Sequence, residues 1–220
     1  MRVKFLNCKI DLSKRVFQPR IETEFWVRKA LKELTENCSP LVFVLDIFAG
    51  TGCIGIAILK SFKNSRVDFV DISKKAIGQI KINLKLNLPR TELVLVRGKI
   101  PKIRYKIYKS NIFEKIKGEK YDFIFANPPY VAKERLNEVE RSVLKYEPKR
   151  AFLAGKKGFL YIKKFLKEAK KFLKPNGTIY FEFDPQQKTD IEKILEKDHK
   201  NVKFFKDQFK TYRWTKISLK

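Results

Sequence analysis

Two clusters of residues in this 220-residue chain have the types and spacing to do chemistry. The first is Asp46-Ile47-Phe48-Ala49-Gly50-Thr51-Gly52, where the apolar run Leu41 to Leu45 meets a helical pattern at Ile54, Ile56, Ala57 and Ile58. Such a run reads as a strand buried on both faces, and open α/β sheets bind ligands at the carboxyl ends of their strands. Glycines let the backbone approach a ligand, and the following helix N-terminus presents free N–H groups. Asp71 ends the next apolar segment, 21 residues after Gly50, where a carboxylate can accept from both hydroxyls of a ribose. Gly50, Gly52 and Gly55 also satisfy G-x-G-x-x-G, so a dinucleotide is an alternative. Asp46 tips the balance: like-charge repulsion sets it badly beside a pyrophosphate, whereas it suits a ligand carrying an ammonium group, such as the methionine part of S-adenosylmethionine.

The second cluster is Asn127-Pro128-Pro129-Tyr130, after the apolar run Tyr121 to Ala126. Two prolines fix the backbone and remove local N–H donors. The Asn127 side-chain oxygen and the Pro128 carbonyl can then both accept from one NH2 group, while Tyr130 offers a ring face to a planar group. This is a device for holding a planar amide or an exocyclic amine. The same site has no Lys, Cys or His base, and the chain contains a single histidine, His199. Cys8, Cys38 and Cys53 form no metal or redox spacing. An odd, sparse cysteine set fits a reducing, cytoplasmic setting.

These clusters need a scaffold, and the periodicity supplies one. Residues 2–6 and 9–17 alternate loosely around Asn7 and predict a β-hairpin. A helix is expected over 22–36, with Val27, Ala30, Leu31 and Leu34 at helical spacing, and Pro40 breaks the chain after it. Strands are expected over 41–45 and 66–70, and Ser73 is the N-cap of the helix that follows. Residues 92–97 and 103–109 both read as strands around Gly98 and Pro101. The second is taken as the regular one, and residues 90–102 as an insertion. A helix over 159–173 pairs an apolar face (Phe159, Ile162, Phe165, Leu166, Ala169) with a lysine face, which usually means solvation. Pro175-Asn176-Gly177 turns into a strand over 178–183. A helix over 187–197 and strands over 201–206 and 211–219 close the chain. Alternating strands and helices predict a parallel, doubly wound α/β sheet, with the last two strands antiparallel.

Taken together, the glycine-rich loop, the acidic ribose binder and Asn-Pro-Pro-Tyr resemble the Rossmann-like S-adenosylmethionine-dependent methyltransferases that act on planar nitrogen. Two further segments resemble one branch, the peptide chain release factor glutamine N5-methyltransferases. Pro19-Arg20-Ile21-Glu22-Thr23-Glu24 is similar to their Pro-Arg-Pro-x-Thr-Glu signature. Tyr146-Glu147-Pro148, with Ala151 to Gly155 and Gly158, is similar to the segment after their Asn-Pro-Pro-Tyr motif. Lys206-Asp207 followed by Arg213 also looks like theirs. The resemblance implies a seven-stranded class I sheet, mostly parallel with an antiparallel final strand, plus the N-terminal hairpin. It implies residues 1–20 as an extension and 21–220 as the catalytic domain. It carries the cofactor site onto Asp46, Phe48, Ala49, Gly50, Thr51, Gly52, Asp71, Asn111, Ile112 and Asn127. It carries the glutamine site onto Asn127, Pro128, Pro129 and Tyr130, of which Asn127, Pro128 and Tyr130 are the catalytic set. S-adenosyl-L-methionine is the expected cofactor, S-adenosyl-L-homocysteine its product, and the Gly-Gly-Gln tip of a class 1 release factor the expected substrate. Ile21 departs from the second proline of the signature, Phe48-Ala49 from the usual Gly-Thr, and Asn111 from the usual Asp. The family's N-terminal helical domain, which helps recognise the release factor, is expected to be missing.

Composition bounds the alternatives. Hydrophobic residues at 44% and aromatics at 13% exclude a disordered chain. No run of 18 apolar residues exists to span a membrane. Fifty basic residues against 24 acidic give +26, which points to a polyanion such as nucleic acid. Yet the basic residues are 38 Lys and 12 Arg, beside 19 Phe and nine Gly, the signature of an AT-biased coding sequence. The charge therefore reads either as composition or as a diffuse nucleic-acid or ribosome contact. A nucleic-acid methyltransferase acting on guanine N2 or adenine N6 is the alternative function. A non-catalytic RNA-binding module and a nicotinamide dehydrogenase stand behind it.

Overall fold

The computed structural model describes residues 1–37, 41–88, 93–96, 99–196 and 201–219. Pro40, Glu92, Arg97, Gly98 and His199 lie outside the described residues. In chain order the elements are β1 (Arg2–Phe5), β2 (Cys8–Asp11), α1 (Ile21–Asn37), β3 (Val42–Ile47), α2 (Cys53–Ser61), β4 (Ser65–Asp71), α3 (Lys74–Asn87), β5 (Leu93–Val96), β6 (Lys99–Ile103), β7 (Tyr105–Lys109), β8 (Tyr121–Ala126), α4 (Arg141–Tyr146), α5 (Leu160–Ala169), β9 (Leu173–Glu182), α6 (Lys188–Glu196), β10 (Asn201–Lys206) and β11 (Tyr212–Ser218). Seven strands form one sheet in the order β10-β11-β9-β8-β3-β4-β7. The β3–β4, β3–β8, β4–β7 and β8–β9 pairs are parallel, and β11 runs antiparallel to both its neighbours. This is the doubly wound sheet with the antiparallel final strand that the alternation of patterns implied.

Each central strand feeds two cores because successive side chains point to opposite faces. Val44, Phe69, Phe125 and Tyr180 join one cluster with the hairpin, α1, α2 and α3. Their neighbours Leu45, Val70, Ile124 and Phe181 join the other, with α5 and α6.

Several expected boundaries move. The second hairpin arm ends at Asp11 instead of reaching residue 17, because the Asp11 carboxylate accepts from Ser13 N at 2.9 Å and turns the chain. Residues 93–96 and 99–103 pair with each other as a separate antiparallel hairpin, so Pro101 and Ile103 belong to it. The sheet strand begins only at Tyr105, beyond the buried Arg104, whose guanidinium donates to the carbonyls of Leu59, Phe62 and Ser65. The helix expected over 159–173 stops at Ala169, passes through a 3-10 turn at 170–172 and becomes β9 at Leu173. Pro175 enforces this: it lacks an N–H and disfavours the helical conformation in the residue before it. Pro175-Asn176-Gly177 is consequently a bulge inside β9, where pairing jumps from Tyr121–Leu173 to Phe123–Thr178, and the strand ends at Glu182.

The hairpin is docked by side chains rather than by another strand. Gln79, Asn83 and Asn87 are spaced by four along α3, so they share one face. Asn87 accepts from Lys9 N at 2.9 Å and donates to Lys9 O at 2.7 Å. Asn83 accepts from Asp11 N at 2.8 Å and donates to Asp11 O at 3.2 Å. Gln79 accepts from Lys14 N at 2.8 Å. Asn87 and Asn83 thus pair the edge of β2 as a strand would, and Gln79 holds the chain just beyond it.

Candidate active site

A cavity of about 320 Å3 opens at the carboxyl ends of β3, β4, β7 and β8. The loop after β3 forms its floor and is tied from several sides. Gly50 N donates to Asp71 Oδ2 at 2.9 Å, Ala49 N to Val70 O at 3.0 Å, and Asn83 Nδ2 to Thr51 O at 3.0 Å. Phe48 takes a left-handed conformation with φ +60°, a strained choice for a side chain with a Cβ. Its ring packs edge-on against Tyr161 and Phe165, with centroids 6.3 and 6.0 Å away. Gly55 explains the third glycine of the pattern. A Cβ there would lie 2.3 Å from the Phe69 ring, so α2 approaches β4 only because that atom is absent.

Of the residues singled out in the sequence, Phe48, Ala49, Gly50, Thr51, Asp71, Asn111, Ile112, Asn127 and Pro129 line the cavity. Asp71 holds the loop as well as facing the space: its second oxygen accepts from Ser73 N at 2.8 Å. Burial pushes its carboxyl above the usual range, opposed by those two amide bonds and by the Arg150 charge. Asn111 donates its NH2 to Glu114 at 2.5 Å. Ile112 adopts φ +49°, an outlier for a β-branched residue.

Asp46, Gly52 and Tyr130 are placed off the wall, and Pro128 is buried between the wall residues Asn127 and Pro129. Gly52 is the left-handed N-cap of α2. Asp46 is 1% exposed beneath the loop and accepts from Gly55 N at 2.9 Å. Burial raises its carboxyl to about 8, against the Gly55 bond and reinforced by the Asp71 charge. It does not line the cavity and bears on it through the loop it supports. Tyr130 turns away to donate to Glu182 at 3.1 Å.

The N-terminal signature and the Asn-Pro-Pro-Tyr motif meet here. Asn127 Nδ2 donates to Thr23 Oγ1 at 3.1 Å, across 104 residues of sequence. The other paired segments meet beside them, where Arg20 bonds Glu147 at 2.6 Å. The segment after the motif folds back on it. Val131 N donates to Phe152 O and Ala154 N to Val131 O, both at 2.8 Å, and Gln187 donates to Tyr130 O at 3.1 Å. Gly158 is required at that crossing: its φ is +71° and a Cβ would fall 2.0 Å from Tyr130 O. Asp207 accepts from Phe209 N, Thr211 N and Arg213 Nε, so the last resembling segment holds the β10–β11 turn.

Sequence reasoning missed Phe17, Arg150 and Tyr161 on the wall and Glu182 behind it. Glu182 carried a signal, a lone acid in the apolar strand Ile179-Tyr180-Phe181-Glu182-Phe183. The other three come from irregular stretches or from a helix face whose direction periodicity does not fix.

A doubly wound sheet with an antiparallel final strand and a ligand cavity at the ends of its central strands defines a class. The model of the family described as "Methyltransferase small domain" matches residues 29–149, and the chain is a methyltransferase-fold protein of that kind. It is 32% identical over 207 residues to the release factor glutamine methyltransferase of Streptococcus pneumoniae, covering 93% of this chain and 68% of that protein. It is 31% identical over 183 residues to the ribosomal protein uL3 glutamine methyltransferase of Francisella tularensis subsp. tularensis, covering 83% of this chain and 54% of that one. The chain belongs to the release factor glutamine methyltransferase family. It spans about half to two thirds of the length of several curated relatives that it matches. The fold is also that of a ribosomal protein L11 methylase from Lactobacillus delbrueckii subsp. bulgaricus, with TM-score 0.59 and 16% identity over 92% of this chain and 79% of that one.

Proposed function

We propose that this protein transfers a methyl group from S-adenosyl-L-methionine to the side-chain amide nitrogen of a glutamine, in the Gly-Gly-Gln tip of a class 1 release factor. The observation that carries this reading is the contact between Asn127 and Thr23, which brings the family's N-terminal signature and its Asn-Pro-Pro-Tyr motif to one cavity wall. Residues 1–20 are read as an extension closing the cavity and 21–220 as the catalytic domain.

The residues present fit the cofactor. The cavity is of a size usual for small-molecule sites. Gly50 lines it, and a Cβ there would meet nothing nearer than Phe48 O at 3.9 Å, so the loop leaves room for a ligand. Asp71 would accept from the ribose hydroxyls. Asn111 has committed its NH2 to Glu114, which leaves its oxygen for the adenine amino group. When bound, the cofactor supplies an electrophilic methyl on a sulfonium.

A glutamine nitrogen is a poor nucleophile because its lone pair is conjugated with the carbonyl, the resonance that gives amide rotation a barrier of about 18–20 kcal/mol. Asn127 Oδ1 and the Pro128 carbonyl accept its two hydrogens and turn the nitrogen face towards the methyl. Positioning lowers the barrier by pre-arranging in-line approach, and the two acceptors stabilise positive charge developing on the nitrogen. With the cofactor bound, the C–S bond would break with its electron pair left on sulfur as the neutral thioether, and the nitrogen would shed one proton to water.

The test is incubation with labelled S-adenosylmethionine and a release factor, its Gln→Ala tip variant, ribosomal protein uL3, ribosomal RNA or DNA. Label on the wild-type factor alone is expected, and label on nucleic acid sinks the reading. Label on uL3 instead would shift the same chemistry to a ribosomal protein, the substrate named for the Francisella relative. Asn127→Ala should lower turnover by roughly 100-fold or more while leaving cofactor affinity largely intact; equal loss of both would count against its role.

A further inference from the structure

We infer that Glu182, acting through Thr23, is a positioning residue that decides which end of the Asn127 amide faces the cavity. Its kinetic consequence rests on the glutamine reading; its geometry does not. Glu182 ends β9 and is 1% exposed. Thr23 Oγ1 donates to its Oε2 at 2.7 Å, Trp26 Nε1 to the same oxygen at 2.6 Å, and Tyr130 OH to Oε1 at 3.1 Å. An indole N–H only donates, so Oε2 must act as an acceptor. The single hydroxyl hydrogen of Thr23 is then spent on Oε2, and its oxygen keeps only lone pairs.

Asn127 Nδ2 lies 3.1 Å from that oxygen. If the amide were reversed, its Oδ1 would oppose a hydroxyl oxygen with no hydrogen to give. Reversal would set two acceptors against each other where the observed orientation has a hydrogen bond, and this holds one orientation. Asn127 therefore turns its NH2 to Thr23 and keeps its oxygen for the ligand. Protonation of Glu182 would not undo this, because the hydrogen would go to Oε1, where Tyr130 can accept it, and Oε2 would still take both donors. The site consequently offers acceptors and calls for a group with two N–H hydrogens. A carboxylate or carbonyl presented in the same place meets two acceptors and no donor.

Thr23→Val keeps the branched shape and deletes the hydroxyl, while Thr23→Ser keeps the hydroxyl. Two measurements separate the inference from the substrate reading. The first is proton exchange of the Asn127 side-chain NH2, followed by 15N NMR without substrate. The second is kcat on a release factor, with cofactor affinity by calorimetry. The expected result is faster exchange in Thr23→Val only, with kcat lower by roughly 10- to 100-fold, cofactor affinity unchanged and Thr23→Ser close to wild type. Unchanged exchange in the Val variant, unchanged kcat on a factor the wild type labels, or a Ser variant as poor as Val would each overturn it. If the wild type labels no release factor while the exchange pattern holds, the orientation stands and the substrate reading falls.

Discussion

Asp46 shows how one residue's role changes between pattern and packing. Its type and position suggested an ammonium partner, whereas the structure spends it on Gly55 N beneath the loop. Burial holds its carboxyl at about 8, and an unfolded Asp titrates near 4. Between those values the native state keeps a proton that the unfolded chain has lost, so stability falls as pH rises from about 4 to 8. Asp46→Asn should flatten that slope in denaturant titrations at successive pH values. The slope left over belongs to groups such as Asp71 and Glu182, whose carboxyls burial also raises. A variant with the wild-type slope would show that Asp46 titrates normally. Phe48 and Ile112 make the complementary point, since both hold positive φ at the cavity. Strain of that kind persists where surrounding contacts over-determine it, and no spacing rule announces it.

At the scale of elements, α3 does more than cover the sheet. Its Gln79, Asn83 and Asn87 stripe carries the hairpin, and through it Val16 and Phe17 reach the cavity wall. Asn83 is fully buried and also holds Thr51 O, so it couples the hairpin to the loop after β3. Asn83→Ala leaves Asp11 N and Thr51 O without that partner. It should cost about 1–3 kcal/mol of stability and weaken S-adenosylmethionine binding. Denaturant melts and calorimetry would check this; unchanged affinity would mean that the hairpin and loop are independent. The strands were legible because a continuous apolar run marks a strand buried on both faces. The amide stripe was not, because Asn and Gln on a helix read equally as a solvated face. The end of α5 was missed for a related reason: Phe172 and Leu173 continue the helical period, and Pro175 overrules it from outside the window.

Over the whole molecule, the +26 charge is the feature least tied to the site. Lys163, Lys164, Lys167, Lys170 and Lys171 are exposed along α5 and the turn after it, and none of them lines the cavity, which α5 reaches through Tyr161. Reversing three of them, Lys164, Lys167 and Lys171, to Glu should leave methylation of a release factor within about twofold at low and high salt, since exposed charges act weakly over more than a Debye length of about 10 Å. A salt-dependent loss would instead assign the lysines to a polyanion. What the sequence determined by itself was the order of strands and helices, the loop after β3, the acid ending β4 and the motif ending β8, because period, glycines and prolines act locally. Family signatures added the proposed substrate class. Tertiary structure alone decided that Thr23 touches Asn127 across 104 residues, that Glu182 gathers three donors, and that Asp46 supports the loop from below. The physical reason is that a hydrogen bond is set by distance and by the donors each partner has left, and folding creates those distances between residues that no periodicity relates.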